Sequence, residues 1–184
     1  MRKILLTSAG FENGNIGRQF INLIQGDIKQ AKVLFVPTAA NTAEAKKMVP
    51  KCKEEILWNG IVLDNIVTYD LDHFIDSKLL LRYDAIYFTS GNTQYLMDRI
   101  NEIHMADEIR KAVNDGLVYV GVSAGSIIAT ASIESSLDFI PNTIDVHCTE
   151  NISVPGAVHD ASQHLNISDN QAIFVYGNVI EVIE

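Results

Sequence analysis

Cysteine is scarce in this chain: Cys52 and Cys148 are the only two, they lie far apart, and neither belongs to a CxxC pair. That excludes a disulfide framework and offers no zinc-site spacing, and it fits a reducing, cytoplasmic setting. Positive charge is scarce as well. With 14 Lys and Arg against 23 Asp and Glu the formal charge is -9, and the lysines are scattered rather than gathered into a patch. A surface that neutralises nucleic-acid phosphates is therefore not expected. Long apolar runs are also missing, since none approaches the ~18 residues that a membrane-spanning helix needs. The N-terminal run "KILLTSAG" is shorter than a secretory apolar region and is soon followed by polar "ENGN", so it reads as a first buried strand. No repeat, low-complexity stretch or linker interrupts the chain. What is present is 184 residues, 47% apolar and 20% charged, which predicts one globular domain over residues 1–184 with room for a sizeable core. Small molecules or peptides are the expected partners, with neither nucleic acid nor membrane, and a homodimer is left open.

Strand-like apolar runs alternate with helical periodicity, the pattern of a mostly parallel sheet covered on both faces. After "KILLTSAG", apolar Ile16, Phe20, Ile21 and Ile24 recur at helical spacing, and "KVLFVPTAA" reads as a second buried strand. A helix is predicted from an N-cap at Asn41 or Thr42 to Gly60, with Pro50 expected to break or kink it. "NIVTYDL" and "DAIYFTSG" supply two more strands. One long helix or two stacked ones should then end at Gly116, and "LVYVGVSAG" is the next strand. The pattern weakens beyond it, until "QAIFVYGNVIEVIE" reads as a β-hairpin at a sheet edge. The fold class is α/β, a three-layer α/β/α sandwich of the flavodoxin-like kind.

Gly121-Val122-Ser123-Ala124-Gly125 matches the G-x-S-x-G nucleophile elbow and lies where a strand turns into a helix. The glycines have a steric reason, because the strained serine backbone that lifts Oγ above the sheet leaves no room for flanking side chains. Ser123 is the candidate nucleophile, and the Ala124 N–H is a candidate donor to the oxyanion of a tetrahedral intermediate. A second turn, Ser90-Gly91-Asn92, also ends a strand and opens a helix. Strand ends line one crevice in a doubly wound sheet, so the Gly91 N–H could face that of Ala124 and complete an oxyanion hole. Asn92 and Thr93 at the same turn are candidates for substrate binding or for capping the helix.

A nucleophilic serine needs a base and a group to orient it. Among five histidines, His73, His104, His159 and His164 sit in polar, loop-like surroundings. His147 differs, since it ends "NTIDVHC", an apolar-polar alternation that resembles a short strand, and could be set beside the elbow. Glu134, Asp138 and Asp145 are carboxylates within reach in sequence, and no spacing rule separates them.

"FTSGNTQYLMDRI", then "GVSAGSIIA", then "IDVHC" together resemble the aspartyl dipeptidase family of serine peptidases, the peptidase E group with its cyanophycinase-like relatives. The resemblance runs from the first strand to about Cys148. It implies the fold of class I glutamine amidotransferases, with Ser123 where those enzymes carry a cysteine, so that ammonia transfer from glutamine is disfavoured. It also implies Ser123 as nucleophile, Gly91 in the oxyanion hole, His147 as base, and neither metal nor organic cofactor. The acid does not carry over cleanly, because "TASIESSLDFIPNTIDVH" is short; Glu134 lies nearest the family position and is the expected acid. The expectation is a serine peptidase acting on small peptides. An esterase or amidase and a silent binding module on the same fold are the alternatives.

Overall fold

A computed structural model describes all residues, 1–184. Five strands form a parallel core: β1 (Lys3–Thr7), β2 (Val33–Val36), β3 (Ile66–Thr68), β4 (Ala85–Phe88) and β5 (Val118–Val122). They lie in the order β3-β2-β4-β5-β1. Between them run α1 (Gly14–Leu23), α2 (Ala43–Trp58), α3 (Ser77–Leu80), α4 (Thr93–Glu102) and α5 (Ala106–Asn114), and the short α6 (Ala124–Ile127) follows β5. The pleat sorts the strand residues between two helical layers. Ile4, Leu6, Ile86, Phe88 and Tyr119 pack with Leu96, Met97, Ile100 and Ile109 of α4 and α5 on one face. Leu5, Tyr87, Val118 and Val120 pack with Ile16, Phe20, Cys52 and Ile56 of α1 and α2 on the other. The result is the expected three-layer α/β/α arrangement.

The C-terminal part follows different rules. β6 (Thr143–Asp145) pairs in parallel with β8 (His164–Asn166) as a small separate sheet. β9 (Ala172–Tyr176) returns antiparallel against β1, and β10 (Val179–Ile183) folds back on β9. β7 (Gly156–Ala157) lies outside β10, so the C-terminal hairpin extends the sheet without forming its outermost strand.

Two other expectations are refined. Pro50 does not end α2, which runs unbroken on both sides of it. One lost backbone bond and the ring clash cost about 3 kcal/mol, and the burial of Cys52 and Ile56 on the inner face of the next two turns helps to offset this. The segment before Gly116 is two helices, separated at His104, whose φ of 58° interrupts the α conformation.

Candidate active site

The sheet delivers Ser123 directly from the last residue of β5. Its φ of 49° and ψ of -102° lie outside the ordinary regions, as a strand-to-helix elbow demands. The backbone is pinned there by its neighbours: Ser123 N–H donates to the Thr7 carbonyl at 2.9 Å, and Ser126 Oγ donates to the same oxygen at 2.8 Å. The glycines have the steric role expected of them. A Cβ on Gly121 would lie 2.5 Å from the Gly125 carbonyl carbon, and one on Gly125 would lie 2.6 Å from the Phe88 carbonyl oxygen. The elbow and β4 are thus in backbone contact, and no larger residue fits.

Gly91 is tighter still. At φ 147° a Cβ there would meet the Ala39 carbonyl oxygen at 2.0 Å, while the next residue, Asn92, donates its N–H to that oxygen at 2.8 Å. The N–H groups of Gly91 and Ala124 have no acceptor in the protein. Asn92 is engaged as the N-cap of α4, its Oδ1 accepting the Tyr95 N–H at 2.9 Å. Thr93, the first residue of α4, is half-buried beside it.

His147 stands two residues past β6, with its Nε2 3.1 Å from Ser123 Oγ. The carboxylate at its other nitrogen is Asp169, whose Oδ1 lies 2.6 Å from Nδ1. An ionised carboxylate only accepts, so Nδ1 carries the proton and the Nε2 lone pair faces the Ser123 hydroxyl. Burial pushes the Asp169 carboxyl up, yet hydrogen bonds from His147 and Ser8, aided by the charges of His147 and Lys51, outweigh it and hold the group below the usual carboxylate range. Asp169 is therefore ionised at neutral pH.

The expected acid, Glu134, is corrected by this geometry. It lies on an exposed turn after α6 and makes no hydrogen bond or ion pair with His147. Asp138 accepts a hydrogen bond from Ser136 Oγ at 2.5 Å, and Asp145 faces His164 Nε2 at 3.3 Å, so neither is directed at His147. Asp169 escaped sequence reasoning because topology brings it in. The antiparallel register sets Ala172 opposite Thr7, so the loop just before β9 overhangs the end of β1, next to the elbow. In the sequence Asp169 is only a carboxylate two residues before the run "QAIFVY", a position that gains meaning once β9 is paired with β1.

The other histidines stand apart. His73 is exposed and pairs with Asp72, His104 is an exposed interhelical residue, His159 is an exposed loop residue, and His164 begins β8 rather than lying in a loop. Cys148 follows His147 in sequence, but burial, then the Asp145 charge, pushes its thiol up and away from the reactive thiolate. No three His, Cys, Asp or Glu side chains converge as metal ligands, and no helix is long and apolar enough to cross a membrane.

Known proteins similar to the chain include peptidases. Over 148 residues the chain is 28% identical to an uncharacterized peptidase of Pasteurella multocida, covering 77% of this chain and 69% of that protein. Over 143 residues it is 29% identical to peptidase E of a Nostoc species, covering 74% of this chain and 56% of the relative, so it spans little more than half of that protein's length. A crystal structure from Listeria monocytogenes, described as a candidate peptidase E, superposes with a TM-score of 0.79 at 20% identity, covering 100% of this chain and 98% of that one. That likeness shows a shared fold. The sequence model of peptidase family S51 matches residues 4–148, most of the chain. The chain belongs to peptidase family S51, a family of serine peptidases.

Proposed function

We propose that residues 1–184 act as one hydrolase domain that cleaves short peptides with a Ser123-His147-Asp169 triad. The observation that carries this is the line of contacts from Ser123 Oγ to His147 Nε2 at 3.1 Å and from His147 Nδ1 to Asp169 at 2.6 Å. Ser123 attacks the scissile carbonyl while His147 Nε2 takes its proton, then returns it to the leaving amine. Asp169 keeps the ring in the tautomer that leaves Nε2 free and stabilises the imidazolium that forms. The uncommitted N–H groups of Gly91 and Ala124 bind the oxyanion, each such donor contributing about 3 kcal/mol in a comparable site. Beside the Gly91 turn, a cavity of about 410 Å³ lined by Thr38, Asn41, Lys46, Asp70 and Tyr95 offers both charges to a short polar peptide.

A fluorophosphonate probe followed by peptide mapping tests the reading. Labelling confined to Ser123, together with turnover of short peptides in preference to simple esters, is the expected result. Labelling with turnover of esters alone points to an esterase. No labelling at all makes the fold a silent binding module.

A further inference from the structure

We propose that Ser8 is a positioning residue that fastens both the base and the acid of this site to the central sheet. The proposal rests on the Ser123-His147-Asp169 reading above and adds a fourth side chain to it. Ser8 follows the last residue of β1 and is fully buried. A buried hydroxyl needs partners, and this one finds them only in the two residues behind the nucleophile. Its O–H lies 2.8 Å from Asp169 Oδ1, and its oxygen lies 2.7 Å from the His147 backbone N.

The chemistry fixes the direction of each bond. A carboxylate cannot donate, so Ser8 donates to Asp169, which leaves the Ser8 lone pairs to accept the His147 N–H. Ser8 Oγ is also 3.3 Å from His147 Nδ1, so hydroxyl, ring nitrogen and carboxylate oxygen form a closed triangle.

The backbone of His147 shows why an anchor is needed. Its φ of 59° is in the left-handed region, uncommon for a residue with a Cβ. The Ser8 bond gives its N–H an acceptor in that conformation, aiming the imidazole at Ser123 rather than at solvent. Asp169 needs the same help, because its side chain is 59% exposed on a loop. β1 is a firm support, since it is paired on both sides, with β5 and with β9. The Ser8 hydroxyl thus ties the exposed, loop-borne half of the site to the strand that adjoins the nucleophile.

The test is a double-mutant cycle on the rate of fluorophosphonate labelling of Ser123, using Ser8→Ala, Asp169→Asn and the pair. Ser8→Ala is expected to label 10- to 100-fold more slowly while its melting temperature falls by only a few degrees. Asp169→Asn should lose at least as much, and the double variant should be no more than twofold slower than Asp169→Asn, because both changes break one unit. In ¹⁵N spectra, the His147 ring of Ser8→Ala should gain the Nε2–H tautomer at the expense of Nδ1–H, a change that a merely structural serine would not produce. Wild-type labelling of Ser8→Ala beside slow labelling of Asp169→Asn overturns the Ser8 assignment alone, as do losses that multiply in the double variant. Wild-type labelling of Asp169→Asn overturns the triad reading and the Ser8 assignment with it. Should Ser8→Ala fail to fold, hydrogen exchange in the unmodified protein decides: a protected His147 amide is expected, and exchange at the unprotected rate refutes the anchor.

Discussion

The proposed nucleophile and its proposed acid come from two halves of the chain built on different principles. The half ending at Ser123 is a parallel sheet in which every strand except the edge strand β3 is buried on both faces, and its functional residues lie at strand ends forced by local sterics. The half after Ser123 is short strands, loops and an antiparallel return, and its functional residues are held by side-chain hydrogen bonds. In the first half, position follows from the residues themselves. In the second it follows from which strand pairs with which.

The largest expected effects fall on the boundary between the halves. Ser123→Ala and His147→Ala should each lower turnover by roughly 10⁶-fold without unfolding the protein, since neither change adds bulk. Retention of a tenth of wild-type rate in either variant, measured on any peptide the protein cleaves, would contradict the assignment. Next comes the rigid half. Gly91→Ala forces a methyl within 2.0 Å of the Ala39 carbonyl and keeps a φ of 147°. It should cost about 3 kcal/mol in urea denaturation as well as activity, because the turn must shift. An unchanged midpoint would mean that the first half is not as sterically determined as its glycines indicate.

A smaller effect is expected at Glu55, which is buried on α2 and accepts the Phe11 N–H at 2.9 Å just beyond β1. Burial pushes its carboxyl up from the ordinary value, partly offset by the Phe11 hydrogen bond and Lys51. A raised carboxyl value means that the folded state holds the proton more tightly than the unfolded chain. That contribution is complete below the unfolded value and is lost as pH rises through the folded one. Glu55→Gln keeps an acceptor without the charge, so its melting temperature relative to wild type should climb as pH rises through the weakly acidic range. A difference that shrinks over that range would reverse the sign and refute the reading. The smallest effects belong to Asp138→Asn and Asp145→Asn, which should leave turnover within about twofold, because neither carboxylate faces His147.

The same division governs what was legible in the sequence. Gly121 and Gly125 announce the elbow because only glycine avoids a backbone clash there, and that requirement is written in adjacent residues. Alternating strands and amphipathic helices announce the three layers for the same reason. His147 was legible as the end of a short strand. Asp169 was not, since nothing in "NISDNQ" distinguishes its carboxylate until β9 is known to run antiparallel beside β1. Counting residues from the elbow led to Glu134, which is near Ser123 in sequence and remote from the His147 ring in contacts. Ser8 was hidden likewise, as a small residue after the first strand with no partner visible in its own neighbourhood.

The acid is where the two halves meet, and labelling rates of Asp169→Asn and Glu134→Gln with a fluorophosphonate, measured side by side near neutral pH, test it most directly. The structure predicts a loss of roughly 10²–10⁴-fold for Asp169→Asn, from a misoriented imidazole and a lost counter-charge, and a wild-type rate for Glu134→Gln. A wild-type rate for Asp169→Asn, or a loss confined to Glu134→Gln, would contradict it.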